Sequence, residues 1–334
     1  MTSMIEDLNK NTAFPEPTDE IKVIQTHISI VFVCDNYVYK IKKPVNFGFL
    51  DFSSLKKRKY YCNREVELNS RFSKDVYLGV YPVTFNGNNH SINGKGKIVD
   101  YAVKMRRIPD KDLLKSRFNN NAVTLNDIER VAKAIADFHK GSKRSNEIDE
   151  YGKLNTVKFN TDENFQQTQE FIGNSITKEQ FYDLKNWTDR FYKNQSNLFE
   201  KRIEEGKIKD CHGDLHMEHI VLSDPIIIFD CIEFNDRFRY SDTLSDIAFL
   251  LMDLEFNGGE NFSKKLFILY LNFADEKKDR ETMDILNYYK IYRAYVRGKV
   301  TSFILNDKNV TEDERNDART IAQKYFSLAY SYIK

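Results

Sequence analysis

The chain has 334 residues, with 51 lysines and arginines against 50 aspartates and glutamates and a formal net charge of +1. Its hydrophobic fraction of 41% is that of an ordinary globular protein, and its length suffices for one large or two modest domains. The charge balance gives no reason to expect nucleic acid or an anionic membrane surface as a partner, and no apolar run is long enough to span a bilayer.

The beginning of the chain and its cysteines indicate the compartment. Residues 1–19 are polar, carry two prolines and lack the apolar core of a secretion signal, so we expect a loose polar leader. The four cysteines form no C-x-x-C pair and no regular framework. Reduced thiols in a cytoplasmic protein are the simplest interpretation.

The next part of the chain has the pattern of a sheet. Two β-branched and aromatic runs flank Asp35 and Asn36, a two-residue turn typical of a β-hairpin. The stretch 53–72 has apolar residues at helical spacing behind Ser53 and Ser54, either of which can cap a helix. Strand-like runs follow at 76–85 and 90–109. Residues 20–108 are therefore predicted to form a small β-rich lobe with one helix.

Helical patterns dominate the rest of the chain. Amphipathic segments at 125–141 and 177–206 each end at a glycine, and further helical patterns follow at 287–305 and 314–333. A hinge near 105–109 would join the β-rich lobe to a larger helical lobe over residues 109–334. The sequence thus predicts an α+β, bilobal architecture.

The stretch "CHGDLHMEHIV", residues 211–221, interrupts the helices. It leads into two apolar runs around a Ser-Asp-Pro turn, which predict a β-hairpin. Pairing outward from this turn sets His219 near Phe229 and Asp230, and so carries Asp230 back beside the loop that holds Asp214. Two carboxylates that converge in this way suit phosphoryl transfer, in which one accepts the proton of the attacking hydroxyl and the other holds a metal.

The same stretch also allows a metal cage built from three histidines. An unbroken helix would place His212, His216 and His219 on one face, but Gly213 and the adjacent strand disfavour such a helix. No H-E-x-x-H motif or cysteine pair is present to complete a zinc site. His212 is better interpreted as a buried histidine that ties the loop down.

These motifs resemble a known family. "HGDLHMEH" is similar to the catalytic loop H-G-D-L-x-x-x-N of the aminoglycoside phosphotransferases, and "IIIFD" to the strand that ends in their metal-binding aspartate. "AIADFH" resembles the helix before that loop, and "YSDTLSDIAFLLMD" a segment that would make Asp246 a structural buttress. "KKPVNFGFLDFSSLKKR" and "FDCIEFNDRFRYSD" are similar to a bacterial and archaeal subgroup. The resemblance implies a protein-kinase-like fold.

The resemblance also implies residue roles. Asp214 would be the catalytic base, with His212 beside it in the catalytic loop, and Asp230 the main metal ligand. "VYKIKK" resembles the strand with the phosphate-binding lysine, where Lys40 is the first choice and Lys42 the second. Alternation along this strand places both lysines on the same face as Val38.

The remaining implied roles concern the nucleotide. "NREVELNSRF" resembles the helix with the glutamate partner of the lysine, which Glu65 matches best. ATP is the expected nucleotide, and "MRRIP" matches by position the hinge at which the backbone of Met105 and Arg107 would meet the adenine.

Position 219 departs from the family pattern, because it is histidine where the family has an asparagine that makes a second magnesium contact. Mg²⁺ prefers hard oxygen ligands, whereas Mn²⁺ tolerates nitrogen better. His219 therefore predicts either a weakly held second metal or a preference for Mn²⁺ over Mg²⁺. A degraded kinase is the other interpretation.

The predicted function is ATP-dependent transfer of the γ-phosphate to a hydroxyl of a small molecule. A nucleotide-binding pseudokinase without turnover, or transfer of AMP to a protein, are the alternatives. Residues 150–205 are where the family builds its acceptor pocket. Glu233, Asp236 and Asp242 would attract a cationic acceptor, or else cap helices and pair with Arg237 and Arg239.

Overall fold

The structure is a computed structural model that describes residues 2–307 and 310–334. The chain divides into two compact units, each with its own internal contacts. The first unit comprises Met1–Asn120 and Glu218–Asp236, and the second Asn121–Met217 and Arg237–Lys334. The first unit therefore continues beyond residue 108, the predicted end of the β-rich lobe, and includes a later segment that the prediction assigned to the helical lobe.

A six-stranded antiparallel sheet forms the centre of the first unit, in the order β1-β2-β3-β6-β4-β5. Its strands are β1 (Lys22–Gln25), β2 (Ser29–Val33), β3 (Tyr37–Lys42), β4 (Tyr77–Phe85), β5 (His90–Ile92) and β6 (Lys97–Arg106). The predicted hairpin around Asp35 and Asn36 is confirmed, because Val33 pairs with Val38 across that turn. Strand β3 lies between β2 and β6, so its side chains occupy the middle of the sheet.

Three helices accompany the sheet: α1 (Thr2–Leu8), α2 (Leu55–Asn69) and α3 (Leu114–Asn119). The predicted helix at 53–72 is confirmed as α2, whose first turn is capped by Oγ of Ser54 accepting from the backbone N–H of Lys57. The leader contains α1 rather than loose chain alone. Its Met4 and Leu8 are buried in the core of the first unit. These two apolar side chains therefore anchor α1 against the sheet.

The segment Glu218–Asp236 belongs to the first unit because its apolar side chains pack there. It contains the short hairpin β8 (Ile220–Val221) and β9 (Ile227–Ile228). Ile227 and Phe229 pack against a cluster that includes Tyr77 and Val103 of the sheet. Burial of this apolar surface fixes the hairpin beside β4 and β6.

The second unit is helical. Its helices are α4 (Leu125–Gly141), α5 (Asn146–Asp149), α6 (Leu154–Thr168), α7 (Lys178–Glu204), α9 (Thr243–Phe256), α10 (Glu260–Ala274), α11 (Arg280–Ser302) and α12 (Glu312–Ser331), and the short α8 (Asp236–Arg239) begins at the boundary of the units. Strands β7 (Ile208–Asp210) and β10 (Tyr240–Asp242) pair beside them. Helix α7 is kinked at Gln195, which has non-helical dihedral angles.

The core of the second unit is formed around α9 and α11. Every residue of α9 from Thr243 to Leu254 is buried, which explains its nearly continuous apolar sequence. Tyr288, Tyr289 and Tyr295 of α11 are buried too, so these aromatic side chains belong to the core. None of the helices in the described part of the chain combines the length and apolarity that crossing a membrane requires.

Candidate functional site

The β8–β9 hairpin places His219 beside Asp230. Ile220 pairs with Ile228, and the backbone N–H of Phe229 donates to the carbonyl of His219 at 3.0 Å. The predicted pairing of His219 with Phe229 is therefore confirmed. Nε2 of His219 lies 3.6 Å from Oδ2 of Asp230, so the imidazole and the carboxylate can share one cation.

The backbone at Asp230 is held in an uncommon conformation. Its φ is +62°, in the left-handed region that aspartate tolerates better than most residues. Its N–H donates to the Tyr77 hydroxyl at 3.0 Å, and the N–H of Cys231 donates to Oδ1 of Asn69 at 2.8 Å. These bonds fix the direction of the Asp230 side chain, which is 38% exposed and thus accessible to a ligand.

Lys40 connects Asp230 to Glu65. Its Nζ lies 2.6 Å from Oδ1 of Asp230 and 2.9 Å from Oε1 of Glu65. Burial disfavours the ammonium, but Asp230 and Glu65 outweigh burial and hold the pKa of Lys40 well above its usual value. Lys40 therefore remains charged, and its ammonium contacts Asp230, the residue predicted from the sequence as metal ligand.

Lys42 occupies the other side of Glu65. Its Nζ lies 2.6 Å from Oε2 of Glu65 and also forms an ion pair with Glu233. The side chains of Lys42, Glu65 and Glu233 are all at least 95% buried. The structure thus brings both candidate lysines to one glutamate, and it gives Lys40 the half-exposed partner and Lys42 the buried one.

The predicted hinge residues lie at the end of β6. Met105 pairs with Val38 and Tyr77 in the sheet. The backbone N–H of Arg107 donates to the carbonyl of Asn36, and its guanidinium donates to the carbonyl of Cys34. The N–H at position 107 is therefore already used by the β2–β3 turn, while contact of these residues with adenine stays a prediction.

In the helical unit, Asp246 holds the loop that carries Asp214. The backbone N–H groups of His212 and Gly213 donate to its two carboxylate oxygens at 3.0 and 2.9 Å. The Arg293 guanidinium donates to the carbonyl of Gly213 at 3.0 Å. Gly213 has φ of +86°, which a side chain would strain, so this loop needs glycine before Asp214.

Asp246 is itself held by the helix that precedes the loop. Nε2 of His139, the last residue of "AIADFH", lies 3.1 Å from Oδ2 of Asp246, and Nδ1 of His139 lies 2.8 Å from the Tyr270 hydroxyl. Burial opposes the charge of Asp246, but the bond from His139 outweighs it and lowers the pKa to about 2. Asp246 is therefore a charged, buried anchor, as the resemblance implied.

Asp214 has two histidine neighbours in its own loop. Its backbone N–H donates to Nδ1 of the fully buried His212 at 3.3 Å, which supports a structural role for His212. Its Oδ2 lies 3.5 Å from Nε2 of His216. Burial opposes protonation of His216, but Asp214 outweighs burial and raises the pKa of the imidazole. The sequence pattern predicts no role for His216 in phosphoryl transfer, although this histidine lies only two positions after Asp214.

The three-histidine cage is not formed. Across residues 2–307 and 310–334, no set of three possible ligand atoms close enough to hold one metal ion joins His212 to His216. The reason is that Nδ1 of His212 is turned toward the backbone of its own loop, where it accepts from Asp214.

The acidic residues after Asp230 are engaged inside their units. Glu233 pairs with Lys42, and Asp236 lies 3.6 Å from Arg64. Asp242 caps α9 and pairs with Arg202 at 2.7 Å. The expected helix cap is thus confirmed at Asp242. The two arginines that the sequence suggested as partners pair with other carboxylates: Arg237 with Glu163, and Arg239 with Asp210.

The comparison with known proteins agrees with this geometry. The model of the phosphotransferase enzyme family (APH) matches residues 78–285, and the chain belongs to that family. The range includes Asp214 and Asp230 but begins after Lys40 and Glu65. The predicted resemblance to aminoglycoside phosphotransferases is confirmed.

Among curated sequences, the chain is 33% identical over 297 residues to proteins described as uncharacterised from Mycobacterium bovis (strain ATCC BAA-935 / AF2122/97) and Mycobacterium tuberculosis (strain ATCC 25618 / H37Rv). These matches cover 87% of this chain and 57% of each relative, so the chain spans little more than half the length of the curated relatives it matches.

Solved structures confirm the fold class. The GDP and kanamycin complex of the aminoglycoside phosphotransferase APH(2")-IIIa is similar with a TM-score of 0.55 and 14% identity, over 98% of both chains. A choline/ethanolamine kinase family protein from Mesorhizobium loti is similar with a TM-score of 0.54 and 13% identity, over 99% of both chains. The α+β, bilobal, protein-kinase-like architecture predicted from the sequence is therefore correct.

Proposed function

We propose that the chain is an ATP-dependent phosphotransferase that moves the γ-phosphate to a hydroxyl of a small molecule. The observation that carries the proposal is the Lys40–Glu65–Asp230 cluster, in which a charged lysine is held by a buried glutamate against a half-exposed aspartate. Kinases use such a cluster to hold the nucleotide phosphates and their metal. Two similar structures, both of aminoglycoside phosphotransferases, are complexes with GDP, which supports nucleotide binding.

Lys40 is the residue we assign to the α- and β-phosphates. The side chain of Lys40 is 15% exposed, whereas that of Lys42 is only 1% exposed. The Nζ of Lys42 is enclosed between the buried carboxylates of Glu65 and Glu233. Glu65 holds Lys40 in place through Oε1, and Lys42 forms an ion pair with Oε2 of the same carboxylate. Lys42 then supports the site without touching the nucleotide.

Asp214 is the group we assign as catalytic base. It accepts the proton of the acceptor hydroxyl while that oxygen forms its bond to the γ-phosphorus and the bond from phosphorus to the ADP oxygen breaks. Its side chain is 33% exposed, and its loop is fixed by Asp246 and Arg293. His216 lies beside it and stabilises its anionic form.

The donor groups near Asp230 fit one divalent cation. Oδ1 of Asp230 faces Lys40, and Oδ2 faces the imidazole of His219, so one oxygen and one nitrogen can meet a metal there. A bound Mg²⁺ or Mn²⁺ would neutralise charge on the β- and γ-phosphates. The mixed oxygen and nitrogen set favours Mn²⁺ over Mg²⁺ relative to an all-oxygen set.

The small-molecule character of the acceptor rests on the family and on the neighbours in fold, one of which holds kanamycin and another of which is described as a choline/ethanolamine kinase family protein. A cytoplasmic location is part of the proposal, and four buried cysteines, none of them in a disulfide, are compatible with a reducing compartment.

The first test is the melting temperature with ATP and either Mg²⁺ or Mn²⁺, against ATP alone, in the native protein and in Asp230→Ala. Binding to the folded state raises the melting temperature. We expect metal and ATP together to stabilise the native protein and not the variant. If metal and ATP raise the melting temperature of neither protein, the proposed function is contradicted.

The pseudokinase alternative has one supporting observation, His219 in place of the family asparagine. It predicts the same stabilisation by nucleotide but no ADP production with any hydroxylated acceptor. AMP transfer would instead release pyrophosphate. Identification of the released nucleotide and of the modified product by mass spectrometry separates the three reactions.

A further inference from the structure

A group of polar side chains in the helical unit surrounds the ammonium of Lys299 on α11. Its Nζ donates to Oδ1 of Asn164 at 2.7 Å and to Oε1 of Gln167 at 2.8 Å, both on α6. These acceptors are neutral amides. Within the described part of the chain, Lys299 has no carboxylate at ion-pair distance. A partly buried cation thus has hydrogen bonds to neutral groups but no carboxylate in direct contact.

The carboxylate that attracts Lys299, Glu163, is already paired. Oε2 of Glu163 lies 2.7 Å from the guanidinium of Arg237, which also lies 5.1 Å from the ring centroid of Phe159. Lys299, Arg237 and Glu163 together leave one net positive charge. Burial lowers the pKa of Lys299 to about 8, because the attraction of Glu163 is offset by repulsion from Arg237 and neither compensates for lost hydration.

One donor in this group is buried and poorly satisfied. Nδ2 of Asn164, a residue that is 4% exposed, makes no hydrogen bond of good geometry, and the Tyr292 hydroxyl is the group with which its side chain interacts weakly. Its Oδ1 is occupied by Lys299, so the amide cannot be turned to satisfy Nδ2 without losing that bond. A buried donor without an acceptor is costly, and a ligand oxygen would remove the cost.

This group lies close to the catalytic loop. The guanidinium of Arg293 donates to the carbonyl of Gly213, next to Asp214, and lies 5.7 Å from the ring centroid of Tyr292. Tyr292 in turn interacts electrostatically with Arg237 and Glu163. Two side chains therefore connect the loop of the catalytic base to the donors around Lys299.

We propose that Lys299, Arg237 and Nδ2 of Asn164 bind an anionic group, a carboxylate or a phosphate, on the acceptor whose hydroxyl Asp214 deprotonates. The inference rests on the proposed function for the identity of the ligand, but the anion site itself does not. All three groups are donors, and two of them are cations, which is the chemistry that recognises carboxylate and phosphate. The carboxylates that would attract a cationic acceptor, Glu233 and Asp242, are paired with Lys42 and Arg202.

Binding of inorganic phosphate and of succinate tests the anion site directly. Lys299→Gln removes the charge, and Lys290→Gln is the matched control, because Lys290 lies on the same helix but pairs with Glu255 at 2.6 Å. Lys40→Met removes the phosphate-binding lysine of the other unit. We expect the Kd of at least one anion, measured from its effect on melting temperature, to rise about ten- to a hundredfold in Lys299→Gln.

Lys290→Gln should retain that Kd, and Lys40→Met, which removes phosphate binding at the proposed nucleotide site, should leave the Lys299-dependent binding in place. A Kd in Lys299→Gln equal to that of the native protein for both anions would overturn the site. This result is independent of ATP, so failure of the anion site and failure of the proposed function are distinguishable: the latter appears as absence of stabilisation by metal and ATP.

Acceptors that differ by one anionic group test the assignment to the acceptor. Glycerol 3-phosphate and glyceric acid are compared with glycerol, and homoserine with its decarboxylated analogue, in the ATP-dependent reaction. We expect turnover of an anionic member with kcat/KM at least about tenfold higher than its partner, and loss of that preference in Lys299→Gln through KM. Lys299-dependent anion binding without any such preference would overturn the assignment to the acceptor, and the site would then hold a free anion.

Discussion

Nζ of Lys40 lies 2.6 Å from Oδ1 of Asp230, a residue 190 positions later in the chain. The buried Glu65 holds the lysine from the other side, with its Oε1 2.9 Å from the same Nζ. In the proposed function, this pair joins the lysine assigned to the phosphates to the aspartate assigned to the metal. Preorganised charges of this kind need little rearrangement when the phosphates enter.

Exchange of each lysine for methionine should separate binding from stability. Lys42→Met leaves Glu233 and one oxygen of Glu65 buried without their cation, and we expect it to lower the free energy of unfolding by about 3–5 kcal/mol. Lys40→Met leaves Glu65 paired with Lys42, so the loss should be no more than about half as large, while the Kd of metal-ATP rises at least about tenfold. Urea unfolding and nucleotide titration measure both quantities.

Lys56→Met, on the exposed side of α2, is the control for loss of a lysine in the same unit and should change neither quantity. The assignment of Lys40 would be wrong if Lys40→Met bound metal-ATP as the native protein does and a folded Lys42→Met did not.

Asp214→Asn should abolish most turnover but retain nucleotide binding. The amide keeps the shape of the side chain but cannot accept the hydroxyl proton, and removal of a general base costs about 10²–10⁴ in rate. ADP release in the presence of an acceptor gives the rate, and the melting temperature with metal and ATP reports binding. Asp189→Asn, an exposed change on α7, serves as control. Full turnover in Asp214→Asn would show that Asp214 is not the catalytic base.

His219→Asn should shift the preference among metals. With imidazole as the neighbour of Asp230, we expect the ratio of activity with Mn²⁺ to activity with Mg²⁺ to exceed one, and asparagine should lower this ratio by supplying an oxygen. The measurement is kcat against concentration of each metal at saturating ATP. Equal activity with both metals, unchanged in the variant, would exclude His219 as a metal ligand.

Asp246→Asn should lower stability at neutral pH and lose part of this effect in acid. The folded pKa of Asp246 is lowered to about 2 from 3.8, so its ionisation contributes about 2 kcal/mol above pH 4, which is lost as the pH falls toward 2. The difference in free energy of unfolding between the native protein and the variant should therefore shrink below pH 4. A difference that stays constant from pH 7 to pH 3 would show that the charge of Asp246 does not contribute.

Much of the architecture could be predicted because its signals are local. The turn at Asp35 and Asn36, the cap at Ser54 and the hairpin after His219 follow from residues near each other in sequence. The helix in the leader was missed because only Met4, Leu8 and a few other apolar residues mark it, and their burial depends on the sheet that they cover.

Partners of charged side chains could not be predicted in the same way. The sequence leaves Lys40 and Lys42 as alternatives, whereas in the structure both contact Glu65, since two residues on one strand face reach opposite oxygens of one carboxylate. Arg237 and Arg239 have close acidic neighbours in sequence but pair with Glu163 and Asp210, which the fold brings to them. Such pairings depend on tertiary contacts and carry no periodic signal.

The setting of Lys299 also changes its chemical reactivity. An amine with a pKa of about 8 is about half uncharged at pH 8, whereas an ordinary exposed lysine is less than about 1% uncharged there. Amine-directed reagents, which attack only the neutral form, should therefore modify Lys299 early in a time course wherever they can reach it. Lys299 can thus serve as a chemical reporter of the proposed anion site. Slower modification of Lys299 in the presence of an anion would show that the anion occupies this site next to α6.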